Sequence, residues 1–245
     1  VQKKRKGHYR DAAELLERSL AISPGNPDAY PVLGDTFWQL GQTVSAIKTF
    51  QKAVTLNPGS AEAHGNLGGA LLQGGRIEEA LKEIRTAIQL DSQNALYRSN
   101  LGVALAQLGR DEEALVEYQK ALELDSKQGS IHFNYANSLS RQGRDEEAIT
   151  AYRRTIELMP DHPHAHFNLA QILVEKEQLE ETIEEYKRQI ERNPDFHPAY
   201  PALIQIYINR NRWEEAREIV ERAQNRKIFI ETKILRLFEQ SAPKP

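Results

Sequence analysis

A chain of 245 residues with 32 lysines and arginines against 35 aspartates and glutamates carries a net charge of −3, which provides no overall basic field for nucleic acid. The absence of cysteine excludes disulfides, thiolate metal sites and a cysteine nucleophile. No apolar run reaches the roughly 18 residues of a membrane span, and no signal-peptide pattern is read. The expectation is therefore a cytoplasmic chain with no direct membrane span, a tether upstream of Val1 staying open.

Residues 1–6 form a basic segment through Lys3, Lys4, Arg5 and Lys6, with Arg10 close behind. Such a run is most simply a solvated tail. From Gly7 onward the chain divides into lengths of 34 residues without insertion or deletion. Glycine recurs at Gly7, Gly41, Gly75, Gly109 and Gly143. Five residues later stand Ala12, Ala46, Ala80, Ala114, Ala148, Thr182 and Ala216, and seven further on Ser19, Ala53, Ala87, Ala121, Thr155, Gln189 and Ala223. Pro24, Pro58, Ser92, Ser126, Pro160 and Pro194 close the successive lengths.

Each length reads as two helices with a turn between them. Leu101, Leu105 and Leu108, then Leu115, Tyr118 and Leu122, give each helix one apolar stripe. Gly109-Arg110-Asp111 is a turn, because glycine tolerates the left-handed conformation at a helix C-terminus. Alanine and glycine at the crossings let helices approach near the lower end of the usual range, about 8 Å. One such pair cannot bury its stripe alone, so neighbours must stack.

This pattern resembles the tetratricopeptide repeat family over about 220 of the 245 residues. Besides the fixed length, the resemblance rests on small residues at repeat positions 8 (Gly34, Gly68, Gly102, Ala136, Ala170), 20 and 27, with proline at 32. Pro27, Ala61, Ala95, Gly129, Pro163 and His197 are then the first residues of six full repeats. The resemblance implies an all-α fold, a right-handed α-solenoid of stacked antiparallel helix pairs. The array spans residues 7–227, one partial and six full repeats, and residues 228–245 supply a C-terminal capping helix and tail. Glu177 and Asn211 stand where the turn glycine is expected, and Ile204 where position 8 should be small, so the last repeats should pack less regularly.

The register puts Val1 at position 9 of what would be a first helix, with no initiator methionine. The chain is accordingly expected to be a fragment or processed product, and Lys3 at a normally apolar position makes that first helix degenerate. At the other end, Ile230, Ile234, Leu237 and Phe238 form the stripe of a cap, while Ile228 and Leu235 suggest a second apolar side for self-association through an exposed end.

The period disarms the catalytic signals. Glu78-Glu79, Glu112-Glu113, Glu146-Glu147, Glu180-Glu181 and Glu214-Glu215 recur at one slot near the start of each second helix, where negative charge suits the helix dipole. An acid and base pair would instead need two carboxylates in different environments facing one substrate. His162, His164 and His166, with His197 one repeat later, form the one cluster of metal-like composition. However, His166 occupies position 4, as His64 and His132 do, which favours a packing or loop role. No catalytic residues, metal site or cofactor are expected, so the chain is not read as an enzyme.

In the family the first helices line the concave side, and the resemblance implies that positions 2, 5, 6, 9, 12 and 13 face that groove. Position 6 carries Asn66, Asn100, Asn134 and Asn168 in the four central repeats, with Val32 and Ala202 in the outer two. Asparagine offers a donor and an acceptor, matching a peptide amide irrespective of its side chains. Phe133 and Phe167 at position 5, Asn137 at position 9 and Trp38 at position 12 complete the expected groove, the aromatic residues as anchors. Family members that clamp a terminal carboxylate use lysine and arginine at positions 2, 5 and 6. Here position 2 holds Asp28, Glu62, Leu96, Ser130 and His164, and positions 5 and 6 hold no basic residue, which argues against that clamp. The expected function is a non-catalytic scaffold binding an extended segment of a partner protein. The alternatives are a structural or self-associating module of a longer protein or membrane-tethered assembly factor, or the targeting domain of an enzyme.

Overall fold

The structure, a computed structural model, describes residues 2–175, 178–231, 234–236 and 238, with side chains from His8 onward apart from those of Pro163 and Glu175. Among the described residues every regular element is an α-helix. The chain divides into two compact units, residues 1–127 and 128–245. The first holds α1 (Gln2–Ile22), α2 (Ala29–Gln39), α3 (Thr43–Leu56), α4 (Ala61–Gln73), α5 (Ile77–Leu90), α6 (Ala95–Gln107) and α7 (Asp111–Leu124). The second holds α8 (Gly129–Arg141), α9 (Asp145–Leu158), α10 (Pro163–Glu175), α11 (Leu179–Arg192), α12 (Ala199–Asn209) and α13 (Trp213–Asn225). Within each unit every helix packs on the next, and in the first unit α4 also packs on α2 and α6.

Helices α4, α6, α8 and α10 start at position 1 of the repeat, as the register predicts. Helices α2 and α12 start two residues later and are 11 residues long. Their Pro31 and Pro201 lack an N–H and clash with the carbonyl four residues back, so they fit only within the first turn, where no intrahelical bond is due. At α4 and α6 a side chain caps the first turn: the Ser60 hydroxyl accepts from the Ala63 N–H at 3.1 Å, and Asn94 Oδ1 from the Leu96 N–H at 3.0 Å.

The turns follow one pattern. At Gly109, φ is +73°, the Gly109 N–H donates to the Ala106 carbonyl at 3.1 Å, and the Arg110 N–H donates to the Leu105 carbonyl at 2.9 Å. Asn211 performs the same turn with φ of 56°, its type being among the few non-glycine residues that enter this region readily. Gly7 differs from the expectation: it lies inside α1, which has no described helix before it to turn from. The expected turn position Glu177 lies outside the described residues, as do Val1 and Leu237.

Small residues at position 8 do admit a close approach, and the large side chain they admit is at position 24. An added Cβ at Gly68 would sit 2.5 Å from Ile84 Cγ1, one at Gly102 2.6 Å from Tyr118 Cε1, and one at Gly34 would overlap the Phe50 ring. In the last repeat the sizes invert, Ile204 at position 8 and Val220 at position 24, both buried in one cluster. The irregularity expected from Ile204 is thus offset by a smaller residue at its partner position.

The C-terminal segment is shorter as a helix than expected. Residues 228–231 are not helical, and helix is described at 234–236 and 238. Ile228, Ile230 and Phe238 are buried in the core cluster of the second unit, with Ile234 and Leu235 packed against it. The second apolar side expected from Ile228 and Leu235 is therefore directed inward, and among the described residues of the segment Phe229 is the exposed apolar side chain, at 76%.

Candidate functional site

In the second unit the faces of α8, α10 and α12 open into two pockets built from the same repeat positions one repeat apart. The first, about 280 Å³, is lined by Asn137, Ser140 and Arg141 of α8, Tyr152 of α9, and Asn168, Gln171 and Ile172 of α10. The second, about 380 Å³, is lined by Gln171 and Val174 of α10, Tyr186 of α11, and Ala202, Gln205 and Ile206 of α12, with Asn209 at its edge. Positions 9 and 12 of one repeat, 24 of the same repeat, and 6, 9 and 10 of the next recur in both. Gln171 belongs to both pockets.

The first pocket is cross-linked by polar contacts. The Tyr152 hydroxyl donates to Asn137 Oδ1 at 2.6 Å, and Asn168 Nδ2 donates to the same oxygen at 3.0 Å and to the Tyr152 hydroxyl at 3.3 Å. Burial raises the Tyr152 hydroxyl above its ordinary range, opposed by the bond from Asn168 and the charge of Arg141, so it remains a donor at neutral pH. Asn168 thus spends its amide hydrogens inside the protein, and the Asn137 amide and the Asn168 carbonyl are left toward the pocket.

The second pocket has no such cross-link, because position 6 is Ala202. Tyr186 is 3% exposed, burial pushes its hydroxyl up to about 12, and among the described residues that hydroxyl has no hydrogen-bond partner. At the edge, Gln205 Nε2 donates to Asn209 Oδ1 at 2.8 Å, which leaves the Gln205 carbonyl and the Asn209 amide as a fixed acceptor and donor.

The predicted groove residues divide. Asn137 and Asn168 meet in the first pocket. Asn134 on α8, and Asn66 and Asn100 on α4 and α6, are half-buried with no side-chain partner among the described residues. Trp38 packs edge-on to Phe50 with centroids 6.3 Å apart and lies over Gly69, where an added Cβ would meet its Cη2 at 2.9 Å. The same Cβ would lie 3.6 Å from Asn100 Nδ2, so Trp38, Gly69 and Asn100 form one neighbourhood in the first unit. Phe133 and Phe167 line neither pocket. Phe133 stacks on His162 at 4.3 Å and near Tyr152 at 6.0 Å, while Phe167 lies 6.1 Å from Tyr186 and 5.9 Å from Phe196. They brace the tyrosines from behind.

The histidines hold the repeat together. At position 4, His64 Nε2 lies 3.0 Å from the Pro58 carbonyl and His166 Nε2 2.9 Å from the Pro160 carbonyl. Their Nδ1 atoms lie 2.6 and 2.8 Å from Glu83 and Glu185. Tyr30 and Tyr200 reach the corresponding carbonyls of Pro24 and Pro194 at 2.8 and 2.7 Å, and Arg98 that of Ser92 at 3.4 Å. His162 accepts from the Ala165 N–H at 3.2 Å, and burial, then His164, lowers its pKa. Among the described residues no three of these groups converge as metal ligands.

The recurring glutamate pairs are structural as well. In three pairs the second glutamate takes a two-pronged grip from the arginine three residues before: Arg110 Nε and Nη2 each reach Glu113 at 2.6 Å, and Arg76–Glu79 and Arg144–Glu147 repeat it, while Arg212 reaches Glu215 through Nε alone and Glu181 pairs with Arg153. The sequence reading missed Gln171, Tyr186 and Gln205. A signal for two of them was present: Asn137, Gln171 and Gln205 form a column of amides at position 9.

Residues 26–161 match a tetratricopeptide repeat model, and residues 139–203 and 173–227 match a second model of the same repeat. No curated protein sequence matches the chain significantly. Among solved structures the chain is similar to YrrB, described as a TPR protein with an unusual peptide-binding site, at 23% identity and a TM-score of 0.55 over 78% of this chain and 98% of that one. It is similar to PilF of Pseudomonas aeruginosa at 21% identity and a TM-score of 0.72, over 87% and 96% of the two chains. The Cut9–Hcn1 hetero-tetramer of APC/C gives 19% identity and a TM-score of 0.74 over 82% of this chain and 40% of that one.

Proposed function

Because the chain belongs to the tetratricopeptide repeat family, we propose that it is a non-catalytic protein-interaction scaffold that holds an extended segment of a partner along the face shared by α8, α10 and α12. The observation that carries this reading is the pair of pockets in register on consecutive repeats, joined at Gln171. Amide side chains at positions 6 and 9 offer a donor and an acceptor to a peptide backbone whatever its side chains. Asn134 lines neither pocket, but it stands on α8 three residues before Asn137 with its amide unpartnered among the described residues, whereas Asn168 orders Tyr152 and Asn137 instead of offering hydrogens to a ligand. The peptide-binding site named for YrrB is consistent with this use of the fold. Glutamates gripped by arginines and histidines bound to loop carbonyls serve the scaffold and no reaction.

The test selects unstructured peptides from a display library on the whole chain and measures their affinity for Gln171→Ala and Asn134→Ala. Each lost net hydrogen bond contributes about 1 kcal/mol, so each variant should weaken binding roughly fivefold with helical circular dichroism unchanged. Selected peptides indifferent to both substitutions would sink the groove assignment.

A further inference from the structure

The pocket lined by α10, α11 and α12 contains a donor without an acceptor. Tyr186 is 3% exposed, and its hydroxyl has no hydrogen-bond partner among the described residues. Unlike the hydroxyl of Tyr207 it is not sealed, so the little surface that Tyr186 keeps includes this hydroxyl and opens into the pocket. One repeat earlier the same position is satisfied: Tyr152 donates to Asn137 Oδ1 at 2.6 Å and accepts from Asn168 at 3.3 Å. In the α10–α12 pocket Ala202 stands at the position of Asn168, and Gln171, at that of Asn137, lines the pocket without bonding Tyr186. Burial pushes the Tyr186 hydroxyl up to about 12, so it keeps its hydrogen at neutral pH.

The rest of the lining narrows what can use this donor. Val174, Ala202 and Ile206 offer apolar contact beside the tyrosine ring. Gln171, Gln205 and Asn209 bring amides, the last two bonded to each other at 2.8 Å. Among the described lining residues none is charged, so a carboxylate, ammonium or guanidinium brought in would lose water without gaining a counter-charge. A wholly apolar group would suit the walls but displace water from the hydroxyl and leave it unpaired. A site with a buried donor discriminates strongly against an occupant that cannot accept from it. The occupant that meets these conditions in a space of about 380 Å³ is large, uncharged, and apolar up to an oxygen at its tip. We infer that this is the specificity pocket of the groove and takes a tyrosine of the partner segment, whose phenol oxygen accepts from the Tyr186 hydroxyl. The phenol's own hydrogen is then available to the Gln205 carbonyl, which the bond to Asn209 leaves free. The assignment rests on the groove reading above and adds to it the residue that the segment presents.

The experiment uses the intact chain and the peptides selected from the display library, with affinities read as a double-mutant cycle. The expected result is a tyrosine common to the selected peptides. Its replacement by phenylalanine should weaken binding to the native chain about fivefold and leave binding to Tyr186→Phe unchanged. Tyr186→Phe keeps the ring and its packing near Phe167, so helical circular dichroism should match that of the native chain. Ala202→Asn restores the residue that the four central repeats carry at position 6 and narrows the pocket. It should cost the tyrosine peptides about tenfold, whereas the same peptides with alanine in place of the tyrosine should bind both chains alike. Selected peptides without a common tyrosine would overturn the inference. So would a tyrosine-to-phenylalanine cost that is the same in the native chain and in Tyr186→Phe, or an Ala202→Asn chain of unchanged helicity that binds the tyrosine peptides as before. In each of these cases a loss of affinity in Gln171→Ala or Asn134→Ala keeps the groove reading, and no loss in either removes both.

Discussion

Tyr186 and Tyr207 place the same hydroxyl group in opposite circumstances. In Tyr186 it lines a pocket, whereas in Tyr207 it is fully buried with no acceptor among the described residues. A buried hydroxyl without a partner costs about 1–3 kcal/mol, and the ring beneath it is worth keeping, since the Arg212 guanidinium carbon lies 4.9 Å from its centroid. Tyr207→Phe keeps the ring and removes the orphan group, so urea unfolding should show a gain of about 1 kcal/mol. A loss would mean that the hydroxyl is bonded. None of this was legible in the sequence, where Tyr207 is one more apolar letter in a stripe; what surrounds the hydroxyl, a pocket for Tyr186 and closed core for Tyr207, is set by tertiary packing.

At the scale of elements, the sequence displayed one half of each helix crossing. The small residues at position 8 were read correctly, but their partners at position 24 were not paired with them, because sixteen residues of helix and turn separate the two. Gly68 and Ile84 make the tightest case with a branched partner, since the Ile84 backbone nitrogen would also lie 3.3 Å from an added Cβ. Gly68→Ala would gain up to about 1 kcal/mol of helix propensity but overpacks a fully buried contact, at about 1–3 kcal/mol. We expect net destabilisation in thermal unfolding, reversing to a gain when Ile84→Ala is already present. Equal effects in both backgrounds would show that the two residues do not limit each other. The Ile204 and Val220 pair is the natural form of this exchange, which is why an apparent defect in the last repeat leaves a closed core.

Over the whole molecule, both compact units carry the same arginine–glutamate grip at the start of second helices. The hydrogen bonds from Arg76, Arg110, Arg144 and Arg212 hold the carboxyls of Glu79, Glu113, Glu147 and Glu215 below the usual range. The folded state therefore releases these protons more readily than the unfolded chain does. The stabilisation is complete above the unfolded value of about 4.3 and is lost as pH falls through the depressed folded values. The melting temperature should hold between pH 7 and 5 and drop below about pH 4, with a shallower drop in the triple variant Arg76→Gln/Arg110→Gln/Arg144→Gln. An identical acid slope in that variant would remove the grips from the account. The fold class and repeat frame were legible because periodicity survives any single substitution. The pockets were not, because they arise between repeats from positions that are each unremarkable alone.

The carbonyl that closes a repeat is held by tyrosine, histidine or arginine at position 4, three side chains with little in common except a proton to give at the right reach. The joint is therefore fixed by chemistry while its spelling is free. Copies of a repeat joined this way can drift apart in composition, and acquire pockets as unlike as the two on α10, without altering the pitch at which those pockets are presented.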